Sequence, residues 1–325
     1  MINEQKIKSA TNIPVGISQC LLGEKVRYDG GHKRSVFCTD VLAEFFEFSP
    51  VCPEAGAGLG IPRPAIRLVK NTDGSQIRVV GVKDVNFDVT VELESYTQQV
   101  MPKLDHLCGY VLMQKSPSCG MERVPQYREN GASLDTKGVG VFARKLMQQY
   151  PLLPVEEAGR LNDAMLCENF ISRVYAYHRW KSIENDLSAK KLIDFYSDYK
   201  YLVMAHDNEA YHGIGKLLSF LPEEELHKRG KKFIQLLMQT LKKPATRNKN
   251  TNVLMHIQGY FKKHLDSSQR QELAGVIKQY HDGDIPLVAP MILLKHHLKQ
   301  HPNEYLQRQK FLTPYPDKLR LRNAI

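Results

Sequence analysis

Three cysteines in the first half of the chain each follow an apolar stretch that is typical of a buried strand. They are Cys20, Cys52 and Cys119, and the stretches before them begin at Ile13, Phe46 and Tyr110. Because strand ends of an open α/β sheet meet at one edge, these cysteines could lie together there. Three thiolates without a fourth would suit an iron–sulfur cluster with one iron open to a ligand. Spacings of 32 and 67 residues are not diagnostic, and three buried structural cysteines are the alternative.

A framework of alternating strands and helices is needed to position these cysteines, and the first half of the chain predicts one. Apolar periodicity fits helices over residues 35–47, 89–107 and 138–150. Residues 66–80 predict a hairpin whose turn lies at 72–75. Strands that alternate with helices indicate a mainly parallel sheet. We therefore expect a Rossmann-like α/β domain over residues 1–162.

The second half of the chain carries only helix signals. Apolar residues recur there at helical spacing, and helix-starting residues separate the segments. The starting residues are Ser188, Asp207, Pro222, Ser268, Pro286 and Pro302. The sequence therefore predicts an all-α helical domain over residues 163–325.

The charge of the chain is concentrated in this helical half. The formal net charge is +10, of which residues 151–325 contribute +8. An excess of positive charge favours a polyanionic partner, most simply nucleic acid, although a solvated surface is an equally simple explanation. The candidate RNA-binding residues are Lys231, Lys232, Lys242, Lys243, Arg247 and Lys249.

Several classes of protein are disfavoured by composition. The six cysteines are spread over 325 residues, and the polar first residues contain no apolar signal-peptide core, so a disulfide framework is not expected. The sequence has no Cys-x-x-Cys pair of the kind found in zinc ribbons. It has no apolar stretch long enough to span a membrane. We expect a cytoplasmic protein with no membrane partner.

The residues around the three cysteines resemble a known family. The segments are QCLLG at 19–23 with VRYDG at 26–30, VCPE at 51–54, and KSPSCG at 115–120. In this order they resemble the three signatures of the TudS-type thiouracil desulfidases. In the helical half, YKYLVMAH at 199–206 and NVLMHIQGYF at 252–261 resemble the YbgA-type domain. The combination of both domains resembles the RudS proteins, which are desulfidases acting on 4-thiouridine in tRNA.

This resemblance implies a cofactor, a reaction and a set of site residues. It implies that Cys20, Cys52 and Cys119 hold a 4Fe–4S cluster whose fourth iron is open. The sulfur of the substrate would bind that iron and leave as hydrosulfide, which converts a thiocarbonyl to a carbonyl by net hydrolysis. Glu54 and Ser116 match the catalytic positions of the family. A carboxylate near a ligand can activate water or deliver a proton, and a hydroxyl can orient the pyrimidine or that water.

Simpler explanations exist for each of the singled-out polar residues. Glu54 could be a loop carboxylate paired with Arg63, and Ser116 and Ser118 could bind turn amides. Asp29 and His32 lie in a polar loop, where contact with a substrate and solvation are equally good explanations. The remaining cysteines are Cys38, Cys108 and Cys167, which we expect in the core.

Two other functions fit the same residues. One is a desulfidase of free thiouracil or thiouridine, in which the helical domain serves assembly. The other is a non-enzymatic nucleic-acid-binding protein with a structural or redox-sensing cluster. A structural cluster requires neither Glu54 nor Ser116, whereas the basic second half favours tRNA over a free base as the substrate.

Overall fold

The structure is a computed structural model that describes residues 12–71 and 76–325. The chain divides into two units, of which the first ends at Leu161 and the second is Asn162–Ile325. The strands of the first unit are β1 (Ile13–Ser18), β2 (Phe46–Val51), β3 (Ile66–Lys70), β4 (Ile77–Gly81), β5 (Tyr110–Leu112), β6 (Val124–Arg128), β7 (Ser133–Gly138) and β8 (Val155–Glu157).

The first of two sheets is parallel throughout, which confirms the predicted fold class. Its strand order is β2-β1-β5-β8, and each neighbouring pair is parallel. Val15, Ile17, Val111 and Leu112 are completely buried. A parallel sheet is covered on both faces, so its strands are continuously apolar, and this is why β1 and β5 could be recognised in the sequence.

A second sheet, with the order β4-β3-β6-β7, was not predicted. The antiparallel pairing of β3 with β4 confirms the predicted hairpin, whose turn at 72–75 lies outside the described residues. β6 and β7 were missed because neither shows the alternation of apolar and polar residues by which strands are recognised. This sheet packs on a core that contains Leu68, Val79 and Val124.

Three helices belong to the first unit: α1 (Pro53–Gly56), α2 (Thr90–Val100) and α3 (Val141–Gln149). The predictions over 89–107 and 138–150 correspond to α2 and α3. The predicted helix over 35–47 is confirmed only as a shorter helical segment that is not an α-helix. A π-helical turn at Phe37–Val41 and a 3-10 turn at Leu42–Glu44 occupy its place. The helical segment ends there because Phe46 begins β2 and is 2% exposed.

The second unit contains only helices, as predicted, and all of its residues are described. They are α4 (Ala164–Lys181), α5 (Ala189–His206), α6 (Asn208–Leu218), α7 (Leu226–Lys242), α8 (Arg247–Tyr260), α9 (Ser267–Asp282), α10 (Val288–Gln300) and α11 (Glu304–Arg308), with short 3-10 turns between them. The side chains of Ser188 and Asp207 cap α5 and α6, as predicted. The capping box of α9 begins at Asp266 instead of Ser268, because Gln269 completes it.

Membrane crossing requires a helix that is both long and apolar. Over residues 12–71 and 76–325, no helix has both properties to the extent that a membrane span needs.

Candidate active site

The three predicted cysteines lie where an open α/β sheet is expected to bind a ligand. β2 lies on one side of β1 and β5 on the other, so the strand order reverses direction between β1 and β5. Ligands bind beyond the carboxyl ends of the strands at such a switch point. Cys20 follows β1, Cys52 directly follows β2, and Cys119 lies in the loop after β5. All three line a single cavity of about 530 Å³.

Local backbone structure explains the position of each cysteine. Cys20 lies in a 3-10 turn, Gln19–Leu22, that continues β1. Cys52 is still extended, with φ −117°, and the proline after it begins α1, where a missing N–H costs nothing. The amide of Cys119 donates a hydrogen bond of 3.1 Å to Oγ of Ser116. This bond closes a tight turn that holds the thiol at the cavity.

Burial makes these thiols reluctant to ionise on their own. Burial, together with the nearby Cys52, raises the pKa of Cys20 to about 11. Burial likewise raises the pKa of Cys52 and of Cys119. A bound cation reverses this balance because it stabilises thiolates directly. The site therefore favours neutral thiols when it is empty and thiolates when a metal centre is bound, and it disfavours thiolates without a metal.

The chemistry of the three thiols suits a soft metal centre such as an iron–sulfur cluster. Within the described part of the chain, no group of three or more histidine, cysteine, aspartate or glutamate side chains is arranged to hold one metal ion. The three cysteines instead surround a cavity from three different loops. A cluster is bound in that way, through thiolates on separate irons. The residues present therefore fit an iron–sulfur cluster with three thiolate ligands.

A buried polar chain connects Glu54 to the loop of Cys119. Nε and Nη2 of Arg63 donate to Oε2 of Glu54 at 3.0 and 2.7 Å. The Ser118 hydroxyl donates to Oε1 of Glu54 at 2.7 Å, and Oγ of Ser116 lies 3.0 Å from Oγ of Ser118. The side chains of Arg63 and Glu54 are only 2% and 12% exposed. Glu54 thus has one oxygen fixed by a guanidinium and the other beside a hydroxyl proton.

Glu54 and Ser116 make the structural contacts that the simpler explanations expect, and they also line the cavity. Glu54 does pair with Arg63, and Ser116 does accept two turn amides, those of Ser118 and Cys119. Both Glu54 and Ser116 nevertheless line the cavity together with the cysteines. Ser118 is the direct partner of Glu54, although the sequence predicts only a turn-forming role for it. The sequence could have indicated a role at the site, because Ser118 directly precedes Cys119.

Several cationic residues at the cavity were also missed. Arg27, Lys33 and Lys115 contribute to its lining, together with Tyr28. Lys33 and Lys115 are exposed, so their positive charges lie at the solvent side of the site. The segment VRYDG at 26–30, which helped to identify the family, contained the signal for two of these residues.

The other polar and cysteine candidates are not part of the cavity lining. Asp29 accepts the amide of Gly31, and Nδ1 of His32 accepts the amide of Arg34; neither residue is part of the lining. The remaining cysteines are buried outside the cavity, as expected for core residues: Cys38, Cys108 and Cys167.

The six candidate RNA-binding residues are not equivalent in the structure. Lys231 and Lys232 are exposed and line a groove of about 490 Å³ on α7, together with His227 and Lys228. Lys242 is exposed as well. The other three side chains contact acceptors within the helical unit.

Those internal contacts occupy the cationic groups of Arg247, Lys249 and Lys243. The Arg247 guanidinium donates to the carbonyls of Tyr280 and Ile285. Nζ of Lys249 donates to the carbonyl of His206 at 2.6 Å, and Nζ of Lys243 lies 2.9 Å from the Asp207 carboxylate. The α7 groove is consequently the better candidate for phosphate contacts.

Comparison with known proteins divides the chain in the same way. Residues 15–158 match a family model described as 2-thiouracil desulfurase, and residues 200–316 match one described as a protein of unknown function, DUF1722. The chain is 32% identical over 159 residues to the uncharacterized protein YbgA of Escherichia coli (strain K12), covering 48% of this chain and 94% of YbgA. A solved structure of the [4Fe-4S]-dependent thiouracil desulfidase TudS is 27% identical, with a TM-score of 0.37, covering 47% of this chain and 95% of that one.

Proposed function

We propose that this chain, whose residues 15–158 match the 2-thiouracil desulfurase family model and which is related to YbgA, removes sulfur from 4-thiouridine in tRNA with an iron–sulfur cluster. The match to that family model supports the desulfidase activity. The cofactor is supported by the three cysteines at the switch point, whose number and placement suit a cluster with one open iron. The single observation that carries the proposal is that Cys20, Cys52, Cys119 and Glu54 line one cavity.

In this proposal each residue at the cavity has a defined task. Cys20, Cys52 and Cys119 hold the 4Fe–4S cluster. When bound, the cluster supplies an open iron that acts as a Lewis acid on the thiocarbonyl sulfur. Glu54 takes a proton from the attacking water at Oε1, because Arg63 occupies Oε2. Ser118 and Ser116 orient that water or the base. Water and the thiocarbonyl give a carbonyl and hydrogen sulfide, so the reaction needs no external electrons.

Positive charge at the cavity supports a nucleotide substrate over a free base. Lys33 and Lys115 are exposed at the lining, to which Arg27 also contributes. These groups suit phosphates on either side of a pyrimidine that enters the cavity, because most contacts of proteins to nucleic acids are made to the backbone. A thiolated base held in single-stranded RNA can reach such a cavity when it is unstacked.

The helical domain supplies a second candidate contact to RNA. One face of α7 carries three lysines, Lys228, Lys231 and Lys232, which are at most four residues apart. They line the groove together with His227. Each phosphate contact releases condensed counterions, so binding of tRNA through this groove depends steeply on salt. We propose this groove as the docking site for tRNA.

The test begins with anaerobically purified protein of known iron content. Loss of the thiocarbonyl absorbance is followed with three substrates, which are bulk tRNA, free 4-thiouridine and free 4-thiouracil. If the proposal is right, tRNA is turned over at a lower substrate concentration than either free 4-thiouridine or 4-thiouracil. Turnover of the free base alone would support the alternative of a thiouracil desulfidase. Full cluster content without turnover of any substrate would instead support a nucleic-acid-binding protein.

The docking groove is tested separately by charge removal. A Lys228→Gln/Lys231→Gln/Lys232→Gln variant should bind tRNA more weakly, and its log–log salt slope should fall by about 0.9 for each phosphate that the variant no longer neutralises. Turnover of free 4-thiouridine should be unchanged. The matched control is Lys278→Gln, because Lys278 is an exposed lysine on α9 that pairs with Asp282. Unchanged affinity and slope in the triple variant would place tRNA binding elsewhere.

A further inference from the structure

The hydroxyl of Tyr110 is buried without a hydrogen-bond partner among the residues that the structure describes. Tyr110 is 0% exposed, and its side chain is one of the largest that are completely buried. A buried hydroxyl without a partner costs free energy, so the few that occur in native structures require an explanation. The mechanism proposed above makes no use of this group.

The ring of Tyr110 is held in place by its neighbours. Tyr110 pairs with Gly16 in the sheet. A Cβ atom on Gly16 would lie 2.2 and 2.3 Å from two ring carbons of Tyr110, so only glycine permits this position of the ring. The ring also packs at 5.6 Å, centroid to centroid, against Phe142. The phenol therefore cannot turn toward solvent to find a partner.

The phenol lies near the loops that carry the predicted cluster ligands. Burial raises the pKa of Tyr110 well above its ordinary value, and the neighbouring Cys119, Tyr96, Cys52 and Cys20 raise it further. Phe142, against which the ring packs, donates its backbone amide to the carbonyl of Ser118 at 3.0 Å, and Ser118 directly precedes Cys119. Gly16, over which the ring lies, is two residues before the end of β1, the strand that Cys20 follows. Tyr110 itself does not belong to the cavity lining.

We propose that Tyr110 is a positioning residue for the cluster, and that its hydroxyl donates a hydrogen bond to a sulfur atom of the cluster or of its cysteine ligands. The proposal rests on the cluster assigned to Cys20, Cys52 and Cys119 under the proposed function. It explains why a hydroxyl is kept at this position, where phenylalanine would fill nearly the same volume. The partner that the hydroxyl lacks among the protein atoms is then supplied by the bound cluster.

The proposal has opposite consequences for the two forms of the protein. Hydrogen bonds to cluster sulfurs stabilise the more negative, reduced state and so raise the reduction potential. Without the cluster, the hydroxyl only carries a desolvation cost. Removing the Tyr110 hydroxyl should therefore lower the stability of the protein with its cluster bound. The stability of the cluster-free protein should stay the same or increase. A hydroxyl with a purely structural role would stabilise both forms.

The experiment compares Tyr110→Phe with the wild type in the absence of substrate. We expect a more negative reduction potential by spectroelectrochemistry. We also expect release of iron to a chelator about tenfold faster, the change that corresponds to about 1.4 kcal/mol. The melting temperature of the cluster-free variant should equal or exceed that of the wild type. Tyr150→Phe is the matched control, because the Tyr150 hydroxyl donates to the Met101 carbonyl at 2.6 Å. It should lower both melting temperatures without changing the potential.

The possible failures are distinguishable. A wild-type protein that binds no cluster after anaerobic reconstitution contradicts the proposed function itself. A loaded wild type together with a Tyr110→Phe variant of unchanged potential and iron release overturns only the role of Tyr110. If the variant did not fold, resonance Raman spectra would test the hydrogen bond without it. The Fe–S stretching bands should shift in D2O both in the wild type and in Ser118→Ala, which removes the hydroxyl that lies 3.6 Å from Sγ of Cys119, and unshifted bands would refute the hydrogen bond.

Discussion

Replacing Glu54 tests the proposed chemistry most directly, but its carboxylate is also half of a buried ion pair, so catalytic and structural effects have to be measured separately. Glu54→Gln removes the charge and the proton acceptor but keeps the shape of the side chain. The cluster ligands are untouched, so iron content should stay near that of the wild type. General acid–base groups contribute about 10²- to 10⁴-fold to rate. We expect turnover of 4-thiouridine to fall by that factor.

The same substitution has a cost in stability that can be worked from the structure. The Arg63 side chain is 2% exposed, and its guanidinium donates twice to Oε2 of Glu54 and once each to the carbonyls of Gly60 and Val26. Removing one partner of a buried ion pair leaves a buried charge unpaired and costs about 3–5 kcal/mol. Part of any loss of activity could therefore arise from unfolding. The free energy of unfolding must be measured by denaturant titration alongside single-turnover rates.

A double variant removes this ambiguity. Glu54→Gln combined with Arg63→Met eliminates the unpaired guanidinium, so much of the lost stability should return. Turnover should remain low, because the proton acceptor is still absent. If the double variant regained both stability and turnover, Glu54 would act only through its ion pair. Near-normal turnover in a folded, fully loaded Glu54→Gln variant would refute the catalytic assignment directly.

Three further predictions follow from single positions. Cys52→Ala should abolish the visible absorbance of the cluster, whereas Cys38→Ala, a core thiol away from the cavity, should retain it; full iron content in Cys52→Ala would contradict the ligand set. Gly16→Ala should destabilise the protein by about 1–3 kcal/mol in thermal or denaturant unfolding, because a Cβ would clash with a buried ring. Burial lowers the pKa of His206 below its ordinary 6.5, so the unfolded chain binds more protons and stability should fall as pH drops below about 6.5. The fluorescence of Trp180, the single tryptophan, reports this unfolding in the helical unit, and His206→Gln should flatten the pH dependence.

Much of the site framework was predictable because it is encoded locally. The buried parallel strands β1 and β5 are continuously apolar, and Cys20 and Cys119 follow them. Cys52 directly follows β2, where Glu47 and Ser49 interrupt a weaker apolar pattern. A topological rule then brings the three cysteines to one edge without knowledge of any side-chain contact. The all-helical second half was predictable for a similar reason, because caps such as Ser188 and Asp207 are local signals.

The rest depends on contacts that no local pattern contains. β7 pairs with β6 although its residues are mostly polar and exposed, so only its partner defines it as a strand. The hydrogen bond from Ser118 to Glu54 joins residues that are 64 positions apart. Net charge also fails to tell which cations are available. Arg247 and Lys249 contribute to the positive charge of the second half, yet their charged groups donate to backbone carbonyls.

The charges at the candidate site also explain why cluster and substrate belong together there. Without a metal, the buried thiols stay neutral, and Glu54 and Arg63 neutralise one another. The proposed cluster would bring three thiolates and a positively charged iron–sulfur core, together a net negative charge, into the same buried region, and Arg27, Lys33 and Lys115 lie along its lining. These cations offset the new negative charge and also attract a phosphate backbone. A substrate that carries phosphates on both sides of its thiolated base can use this field, whereas a free base cannot. The proposed preference for tRNA therefore follows from the electrostatics of the desulfidase domain itself, independently of the basic groove on α7.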